Sequence, residues 1–101
     1  MHIKSDSSNG SATITLSGRF DFNVNKEFRT AYESFLGKNN VKTIELDFSG
    51  VEFIDSSALG MLLVLREKAT ETGQALKLAN CRGTIRQVLD VAHFERFFNI
   101  S

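Results

Sequence analysis

Apolar and polar residues alternate over Ala12-Thr13-Ile14-Thr15-Leu16, the period-two signature of a strand with one buried face. The Asn9-Gly10 pair just before it suits a tight two-residue turn, so this strand and the polar segment ahead of it are predicted to form a hairpin. Ser17 to Phe22 is a connection. The spacing then becomes helical. Val24, Phe28, Ala31, Tyr32 and Phe35 make one apolar stripe, which predicts a helix from Asn23 or Asn25 to Leu36, stopped by Gly37. Lys42 to Phe48 reads as a strand with Ile44, Leu46 and Phe48 on one face, and Ser49-Gly50 is expected to break it. Val51 to Ile54 is then a separate apolar lead into a second helix, from about Ser57 to Thr72, which Gly73 ends. Gln74 to Ala79 is a further strand with Leu76 and Leu78 facing one way. Thr84 is placed to cap a third helix, in which Ile85, Val88, Leu89 and Ala92 share a face. Phe94, Phe97, Phe98 and Ile100 close the chain as an apolar tail, either an edge strand or a half-turn of helix.

Strands that alternate with helices predict an α/β layer with a partly parallel sheet, made mixed by the opening hairpin. The 101 residues are enough for one core, so residues 1–101 are expected to form a single domain. Basic and acidic side chains balance to a net charge of zero, against the basic excess of a nucleic-acid module and against docking on anionic membranes. Met1-His2-Ile3-Lys4 does not open a signal peptide, and the longest apolar run, Met61 to Leu65, is too short to cross a bilayer. A cytoplasmic soluble protein, not inserted in a membrane, is expected. Cys81 is the only cysteine, which excludes an internal disulfide; it reads as a small semi-buried residue.

Catalytic constellations are poorly represented. A nucleophilic serine needs a histidine base, and the chain offers only His2, in a terminal segment, and His93, among phenylalanines. No G-x-S-x-G elbow, dinucleotide fingerprint or P-loop occurs, and no cofactor is called for. Asp21 and Asp55 would make a cation site only if the fold joined them, and solvated or capping acids are the simpler reading.

The most informative segment is Val51-Glu52-Phe53-Ile54-Asp55-Ser56-Ser57-Ala58-Leu59-Gly60, a strand-to-helix junction. Asp, Ser and Ser are all good N-caps, yet a helix needs one, and three stand in a row. Either two are redundant caps, or a hydroxyl here serves as a modifiable site. The helix that follows is apolar nearly all round. A stripe of Ala58, Met61, Leu62, Leu65 and Ala69 suffices to pack on a sheet, which leaves Leu59 and Leu63 beside the serines. These leftover leucines are either buried on a second side or part of a partner-docking surface.

Asp55-Ser56-Ser57-Ala58-Leu59-Gly60, preceded by Phe53-Ile54, resembles the signature of STAS domains, with bacterial anti-sigma factor antagonists (anti-anti-sigma factors) the nearest group. Leu16-Ser17-Gly18-Arg19-Phe20-Asp21 resembles the family's L-x-G-x-apolar-D motif, and Thr84 to Ala92 its last helix. The resemblance implies a mixed sheet with helices packed mainly on one face, and a binding module rather than an enzyme. It implies that the unphosphorylated form binds an anti-sigma factor or serine protein kinase, that Ser56 is the phosphoacceptor with Ser57 as second choice, and that a PP2C-type serine phosphatase removes the phosphate. Asp21 and Asp55 then flank the phosphosite, and Ser57, Ala58, Leu59, Met61 and Leu63 are the expected partner contacts. The alternative is a STAS subunit docked permanently in a transporter or sensory complex. The family often has glycine where Ala58 and His93 stand.

Overall fold

A computed structural model describes residues 1–101. The hairpin forms as expected, with β1 (His2–Ser8) and β2 (Ser11–Phe20) paired antiparallel about Asn9-Gly10. Ser17 to Phe20 is not a connection, however: β2 runs on through it, because these four residues pair with Gly50 to Ile54 of the neighbouring parallel strand. A 3-10 turn, Phe22–Val24, leads into α1 (Asn25–Glu33), then β3 (Thr43–Ile54), α2 (Ser56–Thr72), β4 (Ala75–Ala79), α3 (Gly83–Val91), a second 3-10 turn and β5 (Asn99–Ile100). The sheet runs β1-β2-β3-β4-β5, and every pair after the hairpin is parallel. Each crossover therefore steps to the next strand in the same direction. Right-handed connections then put all the helices on one face. Side-chain burial agrees: Ala12, Ile14 and Leu16 of β2 and Ile44, Leu46 and Phe48 of β3 are buried, while Thr13, Thr15, Glu45 and Asp47 on the opposite face are part-exposed. Phe28 and Tyr32 of α1, Leu62 and Leu65 of α2, and Ile85 and Leu89 of α3 join them in one core. Phe20 and Phe28 meet with centroids 5.0 Å apart, and Phe28 and Tyr32 edge to face at 5.2 Å.

Ser49-Gly50 does not break the third strand; β3 runs through it for 12 residues. Between the pairs Thr15–Asp47 and Ser17–Gly50, β3 advances three residues while β2 advances two, and a second extra residue enters between Val51 and Phe53. These are bulges, and each resets the inward face. The buried positions accordingly step from Phe48 to Val51 to Ile54. Gly50 is required by closeness rather than by a turn: a Cβ there would stand 2.7 Å from the Ser17 Cβ and 3.2 Å from the Leu16 carbonyl oxygen.

Thr84 is not the cap of α3. The helix starts one residue earlier, at Gly83, with Arg82 in the cap position and no side-chain cap bond, and Thr84 lies exposed in the first turn. Both readings of the tail hold in part, since Phe94–Arg96 forms the 3-10 turn and Asn99–Ile100 the edge strand β5. His93 takes a left-handed conformation, φ +57°, which glycine adopts with less strain than a residue with a Cβ.

One buried polar residue ties the layers together. Gln74 donates from Nε2 to the carbonyls of Phe35 (3.0 Å) and Val41 (2.9 Å), while its Oε1 accepts from the Gly37 N–H (3.1 Å) and the Thr72 hydroxyl (2.7 Å). It joins the exit of α1, the entry to β3 and the end of α2, with every hydrogen-bonding group of the amide used.

Candidate functional site

Asp21 and Asp55 follow directly on Phe20 and Ile54, which are partners in the β2–β3 register, so the two aspartates sit at adjacent strand ends. The Asp55 N–H also donates to the Phe20 carbonyl at 3.3 Å. Each carboxylate has a local duty. Asp55 is the N-cap of α2, and its Oδ1 accepts from the Ala58 N–H at 2.9 Å. Asp21 caps the 3-10 turn, accepting from the Asn23 N–H at 3.0 Å, and its other oxygen lies 3.6 Å from Arg19 Nε. The Arg19 guanidinium in turn lies over the Phe53 ring, 4.0 Å from its centroid. No third His, Cys, Asp or Glu completes a metal-ligating cluster around them.

With Asp55 as the cap, Ser56 and Ser57 are relieved of that role. They occupy the first two positions of α2, both exposed. A hydroxyl at Ser56 thus stands at the positive end of a helix dipole, next to unpaired first-turn amides. The expected packing stripe is the observed one: Ala58, Met61, Leu62, Leu65 and Ala69 are the buried residues of α2. Ala58, expected as a partner contact, is completely buried and presents no side chain outward. Its packing duty excludes the contact role. Leu59 is half-buried, and Leu63 is exposed.

Two recesses flank this helix, and the sequence pattern revealed neither, because each is made by tertiary neighbours. Toward α1 runs a groove of about 460 Å³ lined by Phe22, Asn25, Arg29 and Tyr32 on one wall and Ser57, Met61, Val64 and Lys68 on the other. Phe22 and Val64 are exposed to 69% and 47%, an unusual amount for large apolar side chains. Spacing of four, three and four residues from Ser57 to Lys68 was the available signal for the α2 wall. Burial pushes the Tyr32 hydroxyl's pKa up, Glu33 adds to that, and Arg29 works against it. Toward α3 lies an apolar recess of about 320 Å³ lined by Leu59, Thr84, Gln87, Val88, Val91 and Ala92. Cys81 and His93 stand outside both recesses. Burial, against a lowering effect of Arg86 and with a raising one from Asp47, pushes the Cys81 thiol up to about 11, so it stays protonated and unreactive.

The sequence profile of the STAS domain matches residues 2–101. The chain belongs to the STAS family. A STAS-domain containing protein of Pseudomonas aeruginosa (strain UCBPP-PA14) is 40% identical over 89 residues, 88% of this chain and 86% of that protein. Among known structures, the unphosphorylated form of the anti-sigma factor antagonist SpoIIAA is 21% identical and superposes with a TM-score of 0.77 over 99% of this chain and 87% of its own. SpoIIAA of Bacillus has also been solved in its phosphorylated form. The anion transporter Slc26a9 of mouse contains a similar unit, 22% identical, with a TM-score of 0.76 over 94% of this STAS chain and 16% of the transporter. These structural likenesses establish the mixed-sheet STAS fold. No helix of the chain is long and apolar enough to cross a membrane.

Proposed function

We infer that this STAS chain is a phosphorylation-switched protein-binding module, an anti-sigma factor antagonist in a partner-switching pathway. Its unphosphorylated form binds an anti-sigma factor or serine kinase, phosphate on Ser56 blocks that binding, and a PP2C-type phosphatase restores it. One observation carries the reading: the Ser56 hydroxyl lies exposed at the mouth of α2, and Asp55 has taken over the capping that would otherwise occupy it. That a SpoIIAA structure exists in each phosphorylation state supports the same reading.

The physics of the switch is local. A phosphoserine carries about 1.5 to 2 negative charges. The amides and dipole at the start of α2 tolerate an anion, so the fold survives modification. A partner seated over Ser57, Leu59, Met61 and Leu63 would instead have to desolvate the dianion, with Asp55 and Asp21 adding repulsion from the adjacent strand ends. The two recesses beside α2 extend this surface toward α1 and α3. The kinase's nucleotide and metal would approach from the side of the two aspartates.

The test is phosphopeptide mapping of the protein isolated from cells in several growth states, alongside capture with wild type, Ser56→Ala and Ser56→Asp baits. Phosphate on Ser56 and loss of one prey with Ser56→Asp alone are expected. Absence of phosphate in every state, with stable co-purification of a transporter, would replace the switch by permanent docking.

A further inference from the structure

The outer edge of β1 is open, and its sequence complements itself. β1 is the first strand in the sheet order, so nothing lies beyond it. Lys4 to Ser8 are all exposed, and the β1–β2 register has no bulge. The hairpin closes on the Ser8–Ser11 pair around only Asn9 and Gly10, so the even-numbered residues of β1 make the hydrogen-bonded pairs with β2. The N–H and C=O groups of Ile3, Ser5 and Ser7 therefore point outward. Ser7 shows this directly, because its N–H is taken by the neighbouring Asp6 Oδ1 at 2.8 Å.

We propose that a second copy of this chain pairs with this edge, antiparallel and centred on Ser5. A two-fold axis there sets Ser5 opposite Ser5, Ile3 opposite Ser7, and Lys4 opposite Asp6 in both directions. The outward amides of Ile3, Ser5 and Ser7 each then donate and accept once across the junction. Lys4 and Asp6 lie on the open polar face of the sheet, beside Thr13 and Thr15. They fall in the closely spaced, non-hydrogen-bonded pairs, where opposite charges attract most. On pairing, the Asp6 carboxylate leaves its own Ser7 N–H for Lys4 of the second copy, and that N–H passes to the Ile3 carbonyl of the second copy. Zero net charge means that no long-range repulsion opposes the encounter. An edge of seven residues is short, so the dimer is weak and reversible, below the size of a stable interface. Ser56 follows the end of β3, two strands away from this edge, so pairing leaves it accessible in both copies and is independent of the phosphorylation reading.

Sedimentation equilibrium of the 101-residue chain at low salt, from micromolar to millimolar concentration, tests this. The average mass should climb from 11.3 kDa toward twice that value. Lys4→Asp alone, or Asp6→Lys alone, places like charges opposite each other and should weaken association about tenfold or more. An equimolar mixture of those two variants should associate as well as wild type, because an all-acidic edge then meets an all-basic one. Ser5→Pro removes the central outward donor while sparing the β1–β2 ladder, and should leave a folded monomer by circular dichroism. A wild type that stays monomeric throughout, association indifferent to the single charge reversals, or a mixture that fails to associate would each overturn the proposal.

Discussion

Replacing Gln74 with leucine keeps the side chain's size and removes all four of its hydrogen bonds. The partners do not suffer equally. The Thr72 hydroxyl, released from Gln74, can turn its one proton to the Ala69 carbonyl 3.0 Å away, and the Phe35 carbonyl still accepts from the Lys38 N–H at 3.3 Å. Gly37 is exposed, so its N–H can turn to water. The Val41 carbonyl, whose bond to Gln74 is the buried one, is left without a partner. An orphaned buried carbonyl costs about 1–3 kcal/mol, and the remaining bonds contribute on the order of 0.5–1 kcal/mol each. Gln74→Leu should therefore destabilise the domain by about 3 kcal/mol, a fall in melting temperature of roughly 12–24 °C for a domain this size. Thr72→Val should cost under about 1 kcal/mol, because the hydroxyl is peripheral to the network. Urea unfolding followed by circular dichroism reads both. A Gln74→Leu variant within about 1 kcal/mol of wild type would refute the network's role, as would a Thr72→Val variant equally unstable. Gln74→Glu sharpens the test. At neutral pH it sets a carboxylate oxygen against the Phe35 and Val41 carbonyls, which raises the glutamate's folded pKa above its unfolded value. Its stability should be greatest in acid and be lost as pH rises through that raised pKa.

Three further outcomes follow from named contacts. Gly50→Ala puts a Cβ against the Ser17 Cβ and the β2 backbone, and should destabilise by about 2 kcal/mol or more in urea unfolding, as overpacking does. Asp55→Ala removes the cap bond to Ala58 and should cost about 1 kcal/mol, while Ser56→Ala stays within about 0.5 kcal/mol of wild type by thermal unfolding; equal losses would mean that the serine shares the capping. Asp47 governs part of the acid limb. Burial acts to raise its pKa, but the Ser49 N–H (2.9 Å), the Asn80 amide (3.1 Å), the Ser49 hydroxyl and Arg82 outweigh that and hold the carboxyl below its ordinary value. Its contribution is thus present above the unfolded carboxylate pKa and is lost as pH falls through the lowered one. Asp47→Asn should flatten that part of the stability profile, measured as urea midpoint against pH.

Much of this was legible in the sequence because it depends on near neighbours. The buried stripe of α2 followed from helical period alone, and its stop at Gly73, φ +74°, followed from residue type. The stop expected at Gly37 came too late, because α1 already ends at Glu33, with Ser34 as its C-cap, and the chain turns before it reaches the glycine. Asp21 and Asp55 were legible as a pair only through their motifs; their adjacency comes from the parallel register of β2 and β3. What local pattern misread were places where distant chain meets. Gly50 resembled a strand breaker, yet it serves an approach to Ser17 across the sheet. Ala58 was counted both as packing and as partner surface, and complete burial leaves only the first. Gln74 looked like the start of a strand, since three of its four partners lie more than thirty residues back in the chain, at separations of 33, 37 and 39. The groove between α1 and α2 shows in α2 only as the helical spacing of Ser57, Met61, Val64 and Lys68, and nothing in either helix alone says that the two walls face each other.

The division of labour at the start of α2 has a wider consequence. Because an aspartate that no kinase modifies secures the helix, the neighbouring hydroxyl can gain charge, lose it, or be exchanged by mutation at almost no expense to folding. On the switch proposed for Ser56, regulation and architecture can therefore drift separately, and descendants of such a domain can acquire or abandon control by phosphate in a single substitution without first having to rebuild their scaffold.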